Sequence, residues 1–167
     1  RVGPFILVAN HTSHIDTGAI LVATGGRANV LHPMAAKDYF FSRRLRGWLI
    51  HTFLGAIAFD REAHIAESLG LAVGILRHQH ALIFYPEGGR SSTGEVQPFK
   101  RGVGLLVLAS GAPVIPVSLK GTFHALPKGK FFLRKHPITI RFGPPIPADN
   151  YLKDYRQMGP AEVSRRI

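Results

Sequence analysis

Two short runs of uninterrupted apolar residues constrain the fold most: FILVA at 5–9 and ALIFY at 81–85. Neither run alternates, so neither suits a sheet with one face in water. Each reads as a strand covered on both sides. Such strands need helices on both faces of their sheet, and the intervening segments supply them. The segment from Asp16 to about Thr24 carries Ala19, Ile20 and Val22 and ends at Gly25 and Gly26, which suits a helix with a glycine stop. Residues 62–78 give the clearest helix, because Ile65, Leu69, Ala72 and Leu76 form one apolar stripe. Residues 102–110 are apolar all round, as in a helix packed beneath other layers, and Gly111 stops them. Further strands are expected at 30–36, weakened by Pro33, and at 56–59 and 114–119. Residues 136–142 alternate like a half-exposed edge strand. Residues 39–54 mix apolar and basic side chains with some helical signal, and closing helices are expected at 149–157 and from 161 onward. The alternation of strands and helices predicts an α/β fold with a largely parallel central sheet flanked by helices. With no repeat and no linker, residues 1–167 read as a single domain.

A chain that is 46% hydrophobic and 19% charged is a folded globule. It has no cysteine, which excludes disulfides, thiolate nucleophiles and cysteine-based zinc sites. The net charge of +11, from 21 Lys and Arg against 10 Asp and Glu, calls for an anionic partner. Nucleic acid, a lipid headgroup surface and phosphorylated metabolites all qualify. The uncharged stretch 102–119 is broken by Gly111, Pro113 and Pro116, so it does not read as a membrane span. The chain opens at Arg1 without a secretory signal, and a helical pattern still runs at Ile167. It is therefore expected to be a piece of a longer chain, with any membrane attachment peripheral or supplied from outside the piece.

Polar residues gather where the apolar runs end, which is where α/β folds place ligands. Directly after the first run comes Asn10-His11-Thr12-Ser13-His14-Ile15-Asp16. On one continuous helix His11 and Asp16 would point about 140° apart. They can meet if His11 lies in the strand-to-helix turn and Asp16 in the first helical turn, where an acidic residue suits the macrodipole. Thr12 or Ser13 would then suit the N-cap. A carboxylate on imidazole Nδ1–H fixes the tautomer and leaves Nε2 to take a proton. With no serine or cysteine at a nucleophile elbow to accompany the pair, the nucleophile is expected to be a hydroxyl of the substrate, deprotonated by His11. A simple helix cap, or a metal site using His11, His14 and Asp16, stays open at this point, although that spacing fits no common zinc signature.

The second constellation, Tyr85-Pro86-Glu87-Gly88-Gly89-Arg90-Ser91, ends the other buried run. Its glycines let backbone N–H groups approach an anion, and Arg90 offers a planar fork suited to phosphate. A third segment, GAIAFDR, places Arg61 at a strand end, and a fourth is VIPV at 114–117.

Taken together and in this order, NHTSHID, GAIAFDR, FYPEGGRS and VIPV resemble the glycerolipid acyltransferase family typified by bacterial 1-acylglycerol-3-phosphate acyltransferase. The resemblance runs from Phe5 to about Pro147. It implies that His11 and Asp16 are the catalytic pair and that Arg61, Glu87, Gly88 and Arg90 bind the phosphate and glycerol of the acceptor. Lys37 matches a basic position after the second strand, Lys100 and Gly102 match an FKRG element, and Pro116 would belong to the acyl-donor or structural block. One departure is Gly89, where the family usually has Thr, so a hydroxyl that could help place the acceptor is missing.

The resemblance also implies the reaction: a fatty acyl group moves from an acyl-CoA or acyl carrier protein thioester to a lysophospholipid hydroxyl, in phospholipid biosynthesis. The acceptor would be 1-acylglycerol 3-phosphate, with glycerol 3-phosphate or another lysolipid as the alternative. No metal and no bound cofactor is implied, and the setting would be the cytoplasmic face of a membrane. The basic excess fits the anionic acceptor, the anionic donor and an anionic membrane surface alike. Residues 39–54 and 123–136 interleave aromatics with Lys and Arg, and the second of these suits an interfacial position. No nucleic-acid signature accompanies these aromatics, so no nucleic-acid partner is expected. A metal-dependent hydrolase and a non-catalytic basic membrane module are the rival readings.

Overall fold

A computed structural model describes residues 3–26, 29–36, 57–59, 65–130 and 132–149. Both uninterrupted runs are strands, β1 at Ile6–Ala9 and β4 at Ala81–Phe84, and they lie side by side in parallel. Between them come helix α1 at Asp16–Ala23, strand β2 at Leu31–Ala36, strand β3 at Ile57–Phe59 and helix α2 at Ile65–Arg77. After β4 follow helix α3 at Gly102–Ser110, strand β5 at Val114–Lys120, the single-turn helix α4 at Thr122–Ala125 and strand β6 at Thr139–Phe142.

The six strands form one sheet in the order β3-β2-β4-β1-β5-β6. The first five run parallel and β6 is antiparallel to β5. This is the expected α/β architecture. Its two apolar layers explain why the strands do not alternate. Ile6, Val8, Leu82, Phe84 and Val114 face α2 and α3, where Ala72, Leu76, Val103, Leu106 and Val107 meet them. Leu7, Ala9, Ile83, Val117 and Leu119 face the other way, onto Ile20 and Leu21 of α1. β1 and β4 thus bury both sets of side chains, and a fully buried Leu or Ile contributes roughly 1.5–3 kcal/mol.

Pro33 does not displace β2 to an edge. Leu31, His32 and Pro33 pair with β4, while Met34, Ala35 and Ala36 pair with β3, so the proline stands where β2 changes partner. β6 begins at Thr139, after Pro137, and only Ile140 of its alternating set packs inward, against the α1 layer. Ile138 and Phe142 remain 40% and 43% exposed, because β6 is a short strand paired to β5. The helices expected at 39–54, at 149–157 beyond Asp149 and from 161 onward lie outside the described residues. Among the described residues, no helix is long and apolar enough to cross a membrane.

Candidate active site

β1 sits between β4 and β5, so the chain leaving its carboxyl end emerges between two neighbouring strand ends. Asn10, the first residue beyond β1, extends the pairing with a side chain. Its amide Nδ2 donates to the Leu119 carbonyl at 3.0 Å, and its Oδ1 accepts the Leu119 N–H at 2.7 Å. A primary amide offers the same donor and acceptor as a peptide group, so the ladder to β5 closes while the main chain turns away. That turn carries His11.

The His11 imidazole meets Asp16 through Nδ1 and Oδ2 at 2.9 Å. The same carboxylate oxygen accepts the main-chain N–H of Thr12 at 2.7 Å and of Ser13 at 2.8 Å. Asp16 is fully buried in the first turn of α1, whereas the His11 side chain is 20% exposed. A buried carboxylate with three donors on one oxygen is held in place, and charge-assisted bonds of this kind are the strong ones. Neither Thr12 nor Ser13 caps α1 as expected: the N-cap is Ile15, with no side-chain cap bond. The Thr12 hydroxyl pairs with Thr122 at 3.1 Å, and the Ser13 hydroxyl donates to the Leu126 carbonyl at 2.6 Å while accepting the Ile15 N–H at 3.3 Å. Asp16 takes the N–H groups of Thr12 and Ser13.

Tyr85, directly after β4, forms the floor beneath the His11 ring. Its ring stacks on the His11 imidazole with centroids 4.0 Å apart and planes inclined by 17°. Its hydroxyl pairs with Thr17 at 2.9 Å. Burial pushes the phenol well above its ordinary range, the bond to Thr17 opposes that shift, and the Asp16 charge adds to it. Tyr85 is therefore a neutral aromatic plate.

The loop after Tyr85 is pinned to the same turn. The Glu87 carboxylate accepts the His11 main-chain N–H at 2.7 Å through Oε1 and the Gln97 N–H at 2.8 Å through Oε2. Ser91 N–H donates to the His11 carbonyl at 2.8 Å. The resemblance assigns Glu87 to the acceptor; in the structure it is buried, and both its oxygens hold main chain. Gly88 adopts φ +71°, and a Cβ there would press on the Lys100 side chain, so glycine lets Lys100 lie across the loop. Lys100 N–H also donates to the Pro86 carbonyl at 2.8 Å. Arg90 is half-buried in this loop, and its carbonyl accepts from Lys128 Nζ at 3.2 Å.

The structure thus gathers His11, Asp16, Glu87, Gly88, Arg90 and Lys100 at the carboxyl ends of β1 and β4, where parallel sheets place their ligands. Lys37 and Arg61 lie outside the described residues. Among the described residues, no three His, Asp or Glu side chains are grouped to hold a metal ion, and His14 is exposed while Asp16 is buried. Sequence reasoning names Asn10 and Tyr85 as members of the two motifs without giving them a role, and it misses Thr122. Asn10 could have been suspected from its place at a strand end, but nothing local marks Thr122.

Comparison with known proteins matches the acyltransferase family over residues 1–120. A 1-acyl-sn-glycerol-3-phosphate acyltransferase of Limnanthes alba is 32% identical over 157 residues, covering 89% of this chain and 52% of that protein. One of Cocos nucifera is 28% identical over 156 residues, covering 87% and 47%. The alpha form of Homo sapiens is 26% identical over 156 residues, covering 90% and 53%. The chain therefore spans about half the length of these relatives. The crystal structure of the 1-acyl-sn-glycerophosphate acyltransferase PlsC from Thermotoga maritima superposes with a TM-score of 0.71 at 26% identity, covering all of this chain and 69% of that one. A family match over most of the chain, with a solved acyltransferase of the same fold, identifies this chain as a member of the acyltransferase family.

Proposed function

We propose that this chain transfers a fatty acyl group from an acyl thioester to the free hydroxyl of 1-acylglycerol 3-phosphate, a step of phospholipid biosynthesis. The observation that carries the reading is the His11–Asp16 pair, with Nδ1 held at 2.9 Å by a buried carboxylate. With Nδ1–H committed to Asp16, Nε2 is the ring's proton acceptor. It takes the proton of the acceptor hydroxyl, whose oxygen attacks the thioester carbonyl carbon. The tetrahedral intermediate then collapses, breaking the carbon–sulfur bond, and the leaving thiolate receives the proton from the imidazolium. The products are an ester and a free thiol, with no covalent acyl-enzyme and no metal or bound cofactor required.

Arg90 and Lys100 supply positive charge in the loop beside the base, and Arg61 and Lys37 are expected to complete the set that holds the acceptor phosphate. Binding energy from the phosphate positions the hydroxyl for attack. Gly88 gives the loop its close approach, and Glu87 acts on the acceptor indirectly, by fixing the turn that carries His11. The donor is acyl-CoA or an acyl carrier protein thioester, and the partner surface is an anionic membrane. The relatives named for 1-acyl-sn-glycerol-3-phosphate support this acceptor over glycerol 3-phosphate or another lysolipid.

The test is a product assay by mass spectrometry, offering a panel of lysolipids and glycerol 3-phosphate with one long-chain acyl-CoA. Phosphatidate formed from 1-acylglycerol 3-phosphate is the expected product, and His11→Ala should abolish it while the protein still folds. Wild-type turnover in that variant would overturn the mechanism. Arg90→Met should weaken phosphate-bearing acceptors selectively.

A further inference from the structure

Phe132 and Leu133 stand 88% and 68% exposed, next to one another in the loop between α4 and β6. Adjacent large apolar side chains rimmed by charge are the features of an interaction surface. Their surroundings restrict what covers them. Lys128, Lys130, Arg134 and Lys135 flank the pair, and no acidic residue occurs between Glu95 and Asp149. A second copy of the chain would bring equally cationic loops together, and nucleic acid would satisfy the charges without covering a leucine. A lipid bilayer with anionic headgroups satisfies both features at once.

The loop also lies at the active end of the sheet. β5 runs parallel to β1 and ends at Lys120, α4 begins at Thr122, and Thr139 of β6 pairs with Lys120. Several bonds tie this region to the His11 turn and to the loop after β4: Ser13 Oγ to the Leu126 carbonyl at 2.6 Å, Thr12 to Thr122 at 3.1 Å and Lys128 Nζ to the Arg90 carbonyl at 3.2 Å. A β-bridge joins Ser13 to Pro127, and the Arg134 N–H donates to the Ala125 carbonyl at 2.8 Å.

We infer that Phe132 and Leu133 enter the headgroup layer of an anionic bilayer, with Lys128, Lys130, Arg134 and Lys135 on the lipid phosphates. Docking in this orientation holds the His11 site against the surface where an amphiphilic acceptor resides. The docking itself stands apart from the acyl-transfer reading; only its benefit to turnover rests on that reading.

The test is co-sedimentation of the chain with phosphatidylcholine vesicles, with and without phosphatidylglycerol, at low salt. Wild type is expected to sediment with the anionic vesicles only. The double substitution F132S/L133S should lower partitioning by about tenfold or more, as lost insertion of two apolar side chains requires. R134S/K135S should remove the preference for anionic lipid. Turnover of acceptor embedded in vesicles should fall in parallel, while kcat/KM for a short-chain acceptor below its micellar concentration stays unchanged. Equal sedimentation of wild type and F132S/L133S, no binding of wild type, or equal loss of activity on the monomeric acceptor would each overturn the proposal. Vesicle binding without transfer to any acceptor would refute the acyl-transfer reading and leave the docking intact.

Discussion

The imidazole of His11 lies on the ring of Tyr85, with centroids 4.0 Å apart and planes 17° from parallel. The plate is held from beneath by Thr17 and is forced to stay neutral, chiefly by its burial. Because the folded state raises the phenol above its ordinary value of about 10, the stabilisation is complete below that pH. It is lost as pH climbs above it, since the unfolded chain can release the proton and the folded chain resists. Wild type should therefore lose stability relative to Tyr85→Phe from about pH 10 upward, by as much as about 1.4 kcal/mol per pH unit. Urea denaturation of both proteins at neutral pH and above pH 10 checks this, and a pH-independent difference between them would refute it.

Asp16→Asn separates the structural and chemical duties of the carboxylate. An amide oxygen can still accept the N–H groups of Thr12 and Ser13, so the turn should survive with a loss of roughly 1–3 kcal/mol. It carries no charge to support an imidazolium on His11. By analogy with the serine hydrolase triad, kcat should fall about 10³–10⁴-fold. Steady-state kinetics beside a denaturant curve reads both quantities, and matched small losses in each would argue for a purely structural carboxylate.

Glu87→Gln tests whether this residue works through the main chain. The substitution sets an amide NH₂ against either the His11 or the Gln97 N–H, removing one acceptor from a buried site, at about 1–3 kcal/mol. The expected kinetic signature is a lower kcat with KM for the acceptor nearly unchanged. A selective rise in acceptor KM would instead return Glu87 to direct contact.

Gly89 and Gly121 should respond oppositely to substitution. A Cβ at Gly89 meets no atom within 4 Å and its φ is not positive, so Gly89→Thr should leave stability within about 0.5 kcal/mol. The added hydroxyl is expected to lower KM for phosphate-bearing acceptors. At Gly121, with φ +90°, a Cβ would overlap the Pro137 carbonyl, so Gly121→Ala should cost several kcal/mol or prevent folding. Thermal melts of the two variants give the comparison.

The sheet was legible in the sequence because burial on both faces leaves an unmistakable mark in FILVA and ALIFY. The stripe of α2 and the glycine stop of α3 were legible for similar local reasons. Thr12 and Ser13 have the chemistry of an N-cap, but Thr12 pairs with Thr122 and Ser13 donates to Leu126, each more than a hundred positions away, and neither caps α1. The single turn of α4 is too short to print a period. At the site, the His11–Asp16 pairing could be reasoned from strand-to-helix geometry. The stacking of Tyr85 and the main-chain grip of Glu87 could not, since both depend on β1 and β4 being neighbours.

Asn10 grips Leu119 by main-chain atoms alone, so the side chain at 119 takes no part in the clamp. Leucine there answers only to the apolar layer beneath α1, and another aliphatic residue of similar volume would serve. Asn10 has no such latitude, because only a primary amide of that length mimics a peptide link in both directions. The two halves of one clamp are thus free to drift at very different rates. Pairs of positions that vary together report side chains in contact, and they would pass over this junction, although the turn that carries His11 hangs from it.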